Sequence, residues 1–491
     1  MIMKTIINFF RKYAVLIACT AVICGIICSC SDTADPYNSS FNKTEQSTFD
    51  ASKPVTISYF TPEEGGLGSR LVIYGDNFGS DTSKINVSVG GIKSKVVSST
   101  GKILYCIVMP SSDEGTVLLT VTDANGNSVT QQAEKKFNYI RKRNVSTFIG
   151  VLNERGECEL KDGPFDDCGG IAKASWFSFD PKNRNHLYFL GDESFDEAER
   201  DGPGGYGAGG GPLRLIDFEK QEVRTIFAAG YCGLFRMRTI TWTLGGDTMI
   251  IASDKGGDGD HTNLLGTRAA GFMDMRPFMA TGTKQCNGSA IHPVNGELYY
   301  NSYSMGQFYR YDWKEDKREQ LFSVNEGGQE YVVHIHPTGN YAYLVFVNQH
   351  FIQRMNYDWN EQKFLQPNDV CGARGQSGWR DGAGGSARLN VPYQGAFVKN
   401  PQYAGNDDEY DFYFCDRSNH CIRKLTPEGI VSTFAGRGST GMNADPYGYI
   451  DGDLRIQARF NRPYGLIYDD IIGYFYIGDT NNANIRMITE D

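Results

Sequence analysis

Apolar and polar residues alternate along much of the chain, in short runs that turn residues separate. The runs at 70–74, 85–89 and 117–121 have the two-residue period of strands with one buried face. Turn signals such as Asp-Ala-Asn-Gly at 123–126 lie between such runs. About seven short strands of this kind predict an immunoglobulin-like sandwich over residues 54–141.

From residue 142 onward, the most informative pattern is an internal repeat. The segment 381–397 begins with Asp-Gly and carries Ala-Arg-Leu-Asn at 387–390, and the segment 451–467 begins with Asp-Gly and carries Ala-Arg-Phe-Asn at 458–461. An apolar strand follows each copy and leads to two further matching segments, 416–423 and 479–486. Repeats of this length indicate stacked supersecondary units that bury a shared core.

Weaker copies of the same unit come earlier in the chain. Turn signals after the first strand of each unit lie at 180–183, 244–247, 292–296, 336–339, 399–401 and 469–470, and third-strand copies lie at 213–216, 308–311 and 352–355. These turns predict six units. Because the chain stops after the third strand of the last unit, and residues 144–150 copy the outer strand at 431–436, we predict that this early strand closes the ring.

Both parts of the chain resemble known families. The first carries IYGDNFG at 73–79, VGG at 89–91, MP at 109–110 and FNY at 137–139, and it resembles the IPT/TIG family, whose members in secreted bacterial proteins are mostly spacers. The repeats resemble the NHL repeat, which is a blade of a β-propeller. The fold class is therefore predicted to be all-β, with an IPT/TIG sandwich followed by a six-bladed NHL-type propeller over residues 142–491.

Residues 1–29 have the plan of an export signal. Three basic residues precede an uncharged apolar run at 14–27, which is shorter than a membrane-spanning helix. Residues 27–30, Ile-Cys-Ser-Cys, resemble the lipobox of bacterial lipoproteins, and this resemblance implies lipidation at Cys30. An ordinary secretory signal that is cleaved nearby is the alternative.

Residues 30–53 are rich in Ser, Thr, Asn, Asp and Lys and lack an apolar period, which predicts a flexible tether. The sequence Ser-Asp-Thr-Ala-Asp at 31–35 loosely resembles the acidic export signal of surface lipoproteins in Bacteroidota. The resemblance implies a protein that a lipid anchor holds in the outer membrane, facing the outside of the cell. A periplasmic position is the alternative.

The charge of the chain argues against one class of partner, and the cysteine positions leave open whether disulfides form. The chain has 491 residues, 48 basic and 58 acidic side chains and a formal net charge of −10, and this balance argues against nucleic acid as a partner. In an exported protein, Cys415 and Cys421 are placed to form a disulfide across a predicted hairpin turn, and Cys158 and Cys168 to close a loop. Free buried thiols are an equal alternative.

Several motifs that suggest chemistry have a plainer explanation. His292 and His336 each precede a proline at the same turn of the repeat, so we interpret them as structural. Asp254, Asp258 and Asp260 are weak candidates for calcium, but they lack the spacing and terminal Glu of an EF-hand, and a solvated loop is preferred. Gly-x-Ser-x-Gly and His-Glu-x-x-His are both absent. We therefore expect no cofactor, with calcium as an open alternative, and a binding protein rather than an enzyme.

Long loops on one face of the propeller are the predicted ligand site. They are 156–170, 191–212, 254–263, 371–387 and 436–457, and they carry Tyr206, His261, Trp379, Tyr447 and Tyr449. Near the mouth of the central channel we expect Trp176, Arg236, Arg238, Tyr331, Tyr393 and Tyr464. Aromatic rings stack on sugars while Arg, Asp and Asn bind hydroxyl or acidic groups, so the set suits carbohydrate. Packing between blades is the alternative, above all for Trp176 and Tyr464.

The order of parts resembles that of surface glycan-binding lipoproteins in the polysaccharide-utilisation systems of Bacteroidota. That resemblance implies capture of an oligosaccharide for a neighbouring outer-membrane transporter. Two other functions stay open. A metal-dependent lyase or lactonase would need three or more His or carboxylate side chains that converge in the channel, and a protein-interaction platform would need a broad apolar face.

Overall fold

The computed structural model describes residues 47–66, 68–109, 115–155, 158–171, 173–191, 211–228, 231–233, 236–253, 262–278, 285–303, 306–324, 330–438 and 445–490. The chain divides into two compact units, Met1–Arg141 and Lys142–Asp491. Both units are built from strands, which confirms the predicted all-β class. None of the helices in the described part of the chain is long and apolar enough to cross a membrane.

The first unit is a sandwich of short strands. They are β1 (Thr56–Thr61), β2 (Glu64–Gly65), β3 (Arg70–Asp76), β4 (Ile85–Val89), β5 (Ile92–Ser99), β6 (Ile103–Ile107), β7 (Gly115–Thr122) and β8 (Ser128–Tyr139). They pair in the order β1-β3-β6-β5-β4-β7-β8-β2, and β5 links the two halves by pairing with both β6 and β4. Leu71, Val87 and Leu119 are fully buried in one shared core, as their alternating positions predict.

Asn77 has a structural role that accounts for its place in the IYGDNFG motif at 73–79. Its backbone has a φ of 65°, a left-handed conformation that Asn tolerates better than most residues. Its side-chain oxygen accepts a hydrogen bond from the backbone N–H of Asp50 (2.9 Å), and its amide donates to the carbonyls of Asp50 and Lys53 (2.9 Å each). The side chain therefore fixes the segment that enters the sandwich.

The second unit consists of six antiparallel sheets, which are the blades of a propeller. Strand β9 (Arg143–Ile149) comes first. The first blade has β10 (Gly163–Pro164), β11 (Ala174–Phe179), β12 (His186–Gly191), β13 (Leu213–Asp217) and β14 (Glu222–Phe227), and the second has β15 (Met237–Trp242), β16 (Thr248–Ser253), β17 (Asn263–Thr267) and β18 (Arg276–Pro277). The third has β19 (Ser289–Ile291), β20 (Leu298–Ser302), β21 (Gln307–Asp312) and β22 (Lys317–Ser323).

The other three blades have five strands each, with β9 counted in the sixth. The fourth has β23 (Tyr331–Ile335), β24 (Tyr341–Phe346), β25 (Phe351–Asp358), β26 (Lys363–Phe364) and β27 (Asn368–Gly372). The fifth has β28 (Gly382–Ala383), β29 (Pro392–Lys399), β30 (Tyr410–Asp416), β31 (Cys421–Leu425) and β32 (Ile430–Gly436), and the sixth has β33 (Gly452–Asp453), β34 (Pro463–Asp469), β35 (Tyr474–Asp479) and β36 (Asn484–Glu490). Described 3-10 turns lie at Thr82–Lys84, Tyr231–Gly233, Arg268–Ala270, Gly384–Ser386, Pro401–Tyr403, Arg417–Asn419 and Thr480–Asn482.

The ring closes through its first strand. β9 pairs with β36, with Val145 opposite Ile488 and Thr147 opposite Arg486, so the early strand is the outer strand of the sixth blade. This confirms the predicted closure. The inner strands β11, β15, β19, β23, β29 and β34 contact one another in that order, and β34 contacts β11 again. The closed circle leaves the last blade without an unpaired edge on β36.

The two ends of the blades differ. We call the end that holds the turns between first and second strands the turn face, and the end that holds the loops from an outer strand to the next inner strand the loop face. His292 and His336 lie at the turn face, where Nδ1 of His292 accepts from the backbone N–H of Asn295 (3.3 Å) and Nδ1 of His336 from that of Thr338 (3.2 Å). Both histidines hold their own turns, in agreement with the structural interpretation.

Candidate functional site

Three loops of the loop face share one design, 150–173, 373–391 and 437–462. Each leaves the outer strand of one blade and adds a two-residue strand to the outer edge of the next: β10 on β14, β28 on β32 and β33 on β9. Each then returns to an inner strand. Because the ring closes between the sixth and the first blade, these loops lie on three consecutive blades.

An aspartate directly before the two-residue strand fixes each loop. In the fifth blade, Asp381 accepts hydrogen bonds from the backbone N–H (3.1 Å) and hydroxyl (2.8 Å) of Thr433, and from the guanidinium of Arg423 (2.9 Å). Arg423 is fully buried and also donates to the carbonyl of Arg380 (3.0 Å). The loop therefore has a rigid base in the blade.

The same arrangement recurs in the two neighbouring blades. Asp451 accepts from the backbone N–H of Thr147 (3.1 Å) and from Arg486 in the sixth blade. In the first blade, Asp162 accepts from the backbone N–H and hydroxyl of Thr225 (2.8 Å each), and Arg214 donates to it (3.2 Å). Three equivalent loops thus stand on three equivalent bases.

Each loop presents an apolar side chain two residues before its aspartate. In the fifth blade this is Trp379, which is 44% exposed. Its indole N–H donates to the hydroxyl of Thr433 (3.0 Å), and the guanidinium carbon of Arg437 lies 3.9 Å from the centre of its ring. The ring is therefore held by its edge and by one face, and its exposed area is a fixed stacking surface.

Tyr449 occupies the equivalent position in the sixth blade and is 55% exposed. Its phenolic oxygen accepts a hydrogen bond from the hydroxyl of Thr147 (2.8 Å), and Arg486 lies 5.1 Å from its ring centre. Tyr447 is exposed on the same loop, with its ring 5.2 Å from that of His420. The structure thus exposes Trp379, Tyr447 and Tyr449, the three described aromatic residues of these loops that the sequence analysis predicts to bind the ligand.

Sequence reasoning missed two members of this surface. Leu160 is exposed at the position equivalent to Trp379 and Tyr449, and Arg437 covers one face of the Trp379 ring. The Asp-Gly pair at 162–163, which matches those at 381–382 and 451–452, was the signal for Leu160. Arg437 is outside that motif, and its contact with the ring is visible only in three dimensions.

Most residues predicted at the channel mouth are buried. Among them, Trp176, Arg238, Tyr331, Tyr393 and Tyr464 are all less than a tenth exposed. The rings of Tyr393 and Tyr464 lie 4.1 Å apart, and Arg238 forms a buried ion pair with Glu330 (3.5 Å). Arg236 is half-buried and has a left-handed backbone conformation (φ 51°) before β15. Their burial favours packing between blades, and a role in ligand binding stays a prediction.

A small cavity lies among the inner strands near the turn face. It has a volume of about 290 Å³ and is lined by residues of five inner strands, among them Trp176, Thr241, Ser289 and His334. The Trp176 and His334 rings stack with their centres 5.3 Å apart, and the Trp176 N–H donates to the carbonyl of Ile240 (3.2 Å). Burial lowers the pKa of His334 to about 3, so this ring is neutral at physiological pH.

Gln394 crosses between the inner strands of three blades. Its side-chain oxygen accepts from the backbone N–H groups of Phe177 (2.9 Å) and Leu466 (3.0 Å), and its amide donates to the carbonyl of Phe177 (2.8 Å). The first, fifth and sixth blades are thereby tied together at the channel. This bridge fixes the three blades that carry the equivalent loops.

Some predicted sites lie outside the described residues. They are Tyr206, His261, Asp254, Asp258, Asp260 and Cys30. Within the described ranges, no group of three or more His, Cys, Asp or Glu side chains is placed to hold a metal ion. The eight described cysteines, from Cys106 to Cys421, are not joined in disulfides, so the two disulfides considered from the sequence are not formed.

Comparisons with known proteins agree with the fold. The IPT/TIG domain family matches residues 54–139. No curated protein matches the chain. Among solved structures, an auxiliary nutrient binding protein from Bacteroides thetaiotaomicron is 48% identical, with 90% of this chain and 99% of that chain covered and a TM-score of 0.68.

Two further structures have similar coverage. An auxiliary nutrient binding protein from Bacteroides ovatus is 35% identical, with 90% of this chain and 100% of that chain covered and a TM-score of 0.79. A putative phosphatase from Bacteroides thetaiotaomicron is 37% identical, with 91% and 99% covered and a TM-score of 0.68. These matches span both units and do not name the repeat, so the NHL assignment stays a prediction. The chain belongs to the family of the auxiliary nutrient binding proteins of Bacteroides.

Proposed function

We propose that this protein is a lipid-anchored lipoprotein that binds oligosaccharides or polysaccharides on the loop face of its propeller. The observation that carries the proposal is the pair Trp379 and Tyr449. Both rings are exposed at equivalent positions of adjacent blades, and hydrogen bonds to threonines of the outer strands hold both in place. Fixed, exposed rings suit stacking on sugars, because little conformational entropy is lost when the ligand binds.

Membership in the family supports a nutrient as the ligand. Two relatives bear the name auxiliary nutrient binding protein, and one of them is 48% identical along almost its whole length. In the proposed arrangement, lipid on Cys30 anchors the protein in the outer membrane, and the part of the predicted tether before Asp50 holds the two units away from the bilayer, since Asp50 and Lys53 are hydrogen-bonded to Asn77 of the sandwich. The bound glycan then passes to an outer-membrane importer.

Glycan binding is tested by an array screen followed by calorimetry with the best ligand. We expect Trp379→Ala and Tyr449→Ala each to weaken binding by about tenfold, as alanine substitution of a stacking residue typically does. Trp359→Ala is the matched control, because Trp359 is 46% exposed but lies at the turn face, where it donates to Asn340 (3.0 Å). Failure of the purified protein to bind any saccharide overturns the proposal.

The anchor and the cell-surface position need a separate experiment. Cells that express the protein are labelled with a palmitate analogue and then treated with external protease. We expect the wild-type protein to be labelled and digested, whereas Cys30→Ala is unlabelled and is released from the membrane. A labelled protein that resists external protease while the outer membrane is intact would place the anchor on the periplasmic side.

A second candidate, a protein-interaction platform, has one observation in its favour. Aliphatic side chains are exposed on two of the three loops, with Ile456 at 71% and Val151 at 61%. Exposed apolar patches often mark protein interfaces. The variant Val151→Glu/Ile456→Glu separates the two functions: loss of glycan uptake by cells with unchanged glycan affinity would assign these residues to protein docking.

A further inference from the structure

We infer that the glycan bound by the loop face is anionic, and that its carboxylate or sulfate groups bind arginines of the loops 373–391 and 437–462. The inference rests on the proposed glycan-binding function and specifies its substrate class. Positive charge is concentrated on these two loops. The two loops carry seven arginines and four aspartates and no Lys, Glu or His, whereas the whole chain has a net charge of −10.

The buried ion pairs below the loops do not cancel this excess. Arg423 pairs with Asp416 (2.8 Å) and Arg486 with Asp479 (2.9 Å), and all four side chains are fully buried. Within each pair one positive and one negative charge balance. One loop arginine, Arg374, pairs with Asp369 of β27 (2.8 Å), which leaves six loop arginines against four loop aspartates. The excess positive charge therefore stays on the loops of the fifth and sixth blades.

The equivalent loop of the first blade shows that the fold does not require the arginines. Loop 150–173 stands on the same aspartate, threonine and arginine base, yet it carries six acidic and three basic side chains. Two loops of one design are thus basic and the third is acidic. A scaffold role common to all three does not account for that difference, whereas an anionic ligand on the fifth and sixth blades does.

Two of the arginines lie beside the exposed Trp379 ring, and a third is exposed on the loop of the sixth blade. Arg437 covers the face of Trp379 and donates to the carbonyl of Asn419 (2.9 Å), and the exposed Arg380 follows Trp379 directly and donates to the carbonyl of Ser386 (2.5 Å). Arg455, also exposed, donates to the carbonyl of Gly436. These bonds orient the side chains, and a guanidinium with five N–H groups keeps donors for a bidentate contact with a carboxylate or sulfate.

His420 lies close to positively charged arginines of this surface. Its ring lies 5.2 Å from Tyr447, and burial together with the charges of Arg437 and Arg417 lowers its pKa to about 4. The positive charges of these two arginines at the ring favour an anion beside it. Rings for stacking and arginines for charge are therefore adjacent, as recognition of a uronate or a sulfated sugar requires.

Three hexasaccharide probes test the inference by calorimetry on the purified protein: hexagalacturonate, a κ-carrageenan hexasaccharide and neutral cellohexaose. We expect one of the anionic probes to bind at least about tenfold more tightly than cellohexaose, and its affinity to fall as NaCl rises from about 50 to about 500 mM. Hexagalacturonate carries only carboxylates and the carrageenan only sulfates, so these two arms identify the group. Arg380→Gln and Arg437→Gln should each weaken anionic binding by about tenfold.

The matched control is Arg354→Gln. Arg354 also stacks on a ring, with its guanidinium carbon 3.7 Å from the centre of Tyr341, but it belongs to β25, away from the two loops. We expect this variant to bind like wild type. Equal or tighter binding of cellohexaose, with no salt dependence, overturns the inference and leaves glycan binding in place. Absence of binding to every saccharide overturns both.

Discussion

Arg486 and Asp479 form a fully buried ion pair in the sixth blade, with guanidinium NH1 2.9 Å from carboxylate Oδ2. The Asp479 carboxylate also accepts from the side-chain amide of Asn482 (2.7 Å) and the backbone N–H of Asn461 (2.6 Å). The fifth blade repeats the pair as Arg423 and Asp416. Since each buried charge is both paired and hydrogen-bonded, the cost of its desolvation is offset only while all the partners are present.

Loss of the cation from the buried pair of the fifth blade should destabilise the propeller. Arg423→Leu should lower the free energy of unfolding by about 3–5 kcal/mol, because it leaves the Asp416 carboxylate buried without its cation. Urea denaturation followed by circular dichroism measures the change. The double variant Arg423→Leu/Asp416→Asn should recover part of the loss, since no bare charge then stays in the blade. A single variant as stable as wild type would contradict the prediction.

Closure of the ring depends on the packing of β9 against β36. Val145 is buried in β9 opposite Ile488 of β36, so Val145→Asp should destabilise the propeller by about 3 kcal/mol or more through an unpaired buried charge. Thermal unfolding and limited proteolysis measure this effect, and we expect new cleavage in the sixth blade. Val129→Asp is the control, because Val129 lies exposed on β8 of the sandwich. Equal unfolding temperatures for the two variants would argue against closure by β9.

The blades and their closure could be predicted because the chain copies itself. Residues 144–150 repeat the pattern of β32, and a strand that copies an outer strand has only one vacant place in the ring, beside β36. The turns after the inner strands were found for the same reason. Their Asp-Pro, His-Pro and Gly signals depend on local backbone conformation, which the sequence encodes directly.

The site was only partly predictable. Trp379 and Tyr449 were found because glycine-rich loops leave large side chains exposed. Tyr393 and Tyr464 were placed at a channel mouth, yet they pack against each other between blades. Position in an inner strand does not reveal which neighbour a side chain meets, since that depends on the angle between sheets that are distant in sequence.

Buried histidines make stability depend on pH. The His334 pKa lies at about 3 in the folded protein, below the ordinary value of 6.5, because burial disfavours the charged ring. The unfolded chain therefore binds the proton first, so this contribution is complete above pH 6.5 and is lost as the pH falls. At pH 5 the loss for His334 is about 2 kcal/mol. Urea titrations at pH 7 and pH 5 measure it, and His334→Phe should show a flatter profile; an identical slope in both proteins would refute the assignment.

Thiol reactivity tests the cysteine state. Burial raises the pKa of Cys106 and Cys371 to about 12, and that of Cys415 still further, whereas Cys232 is exposed. Native protein treated with iodoacetamide should therefore be modified at Cys232 and spared at the three buried thiols. Peptide mass spectrometry gives the answer, with denatured protein as the control for full labelling. Peptides joined by a disulfide would show instead that one of the two pairs considered from the sequence is oxidised.

Thr433 holds the Trp379 ring in one position, so a change at Thr433 tests whether that position matters for binding. Thr433 donates its hydroxyl to Asp381 and accepts the indole N–H of Trp379, so Thr433→Val keeps the shape of the side chain but releases the edge of the ring. We expect glycan affinity to fall by about three- to tenfold, with the loss appearing mainly in a less favourable binding entropy, because the freed ring must be ordered again by the ligand.

The matched control for Thr433→Val is Thr225→Val. Thr225 holds Asp162 in the first blade in the same way, but the loop above it carries Leu160 in place of an aromatic ring. Calorimetry over a range of temperatures measures both variants. Equal losses of affinity would mean that the threonines act only through the stability of the blades, whereas a loss confined to Thr433→Val would show that the protein orders Trp379 before its ligand arrives.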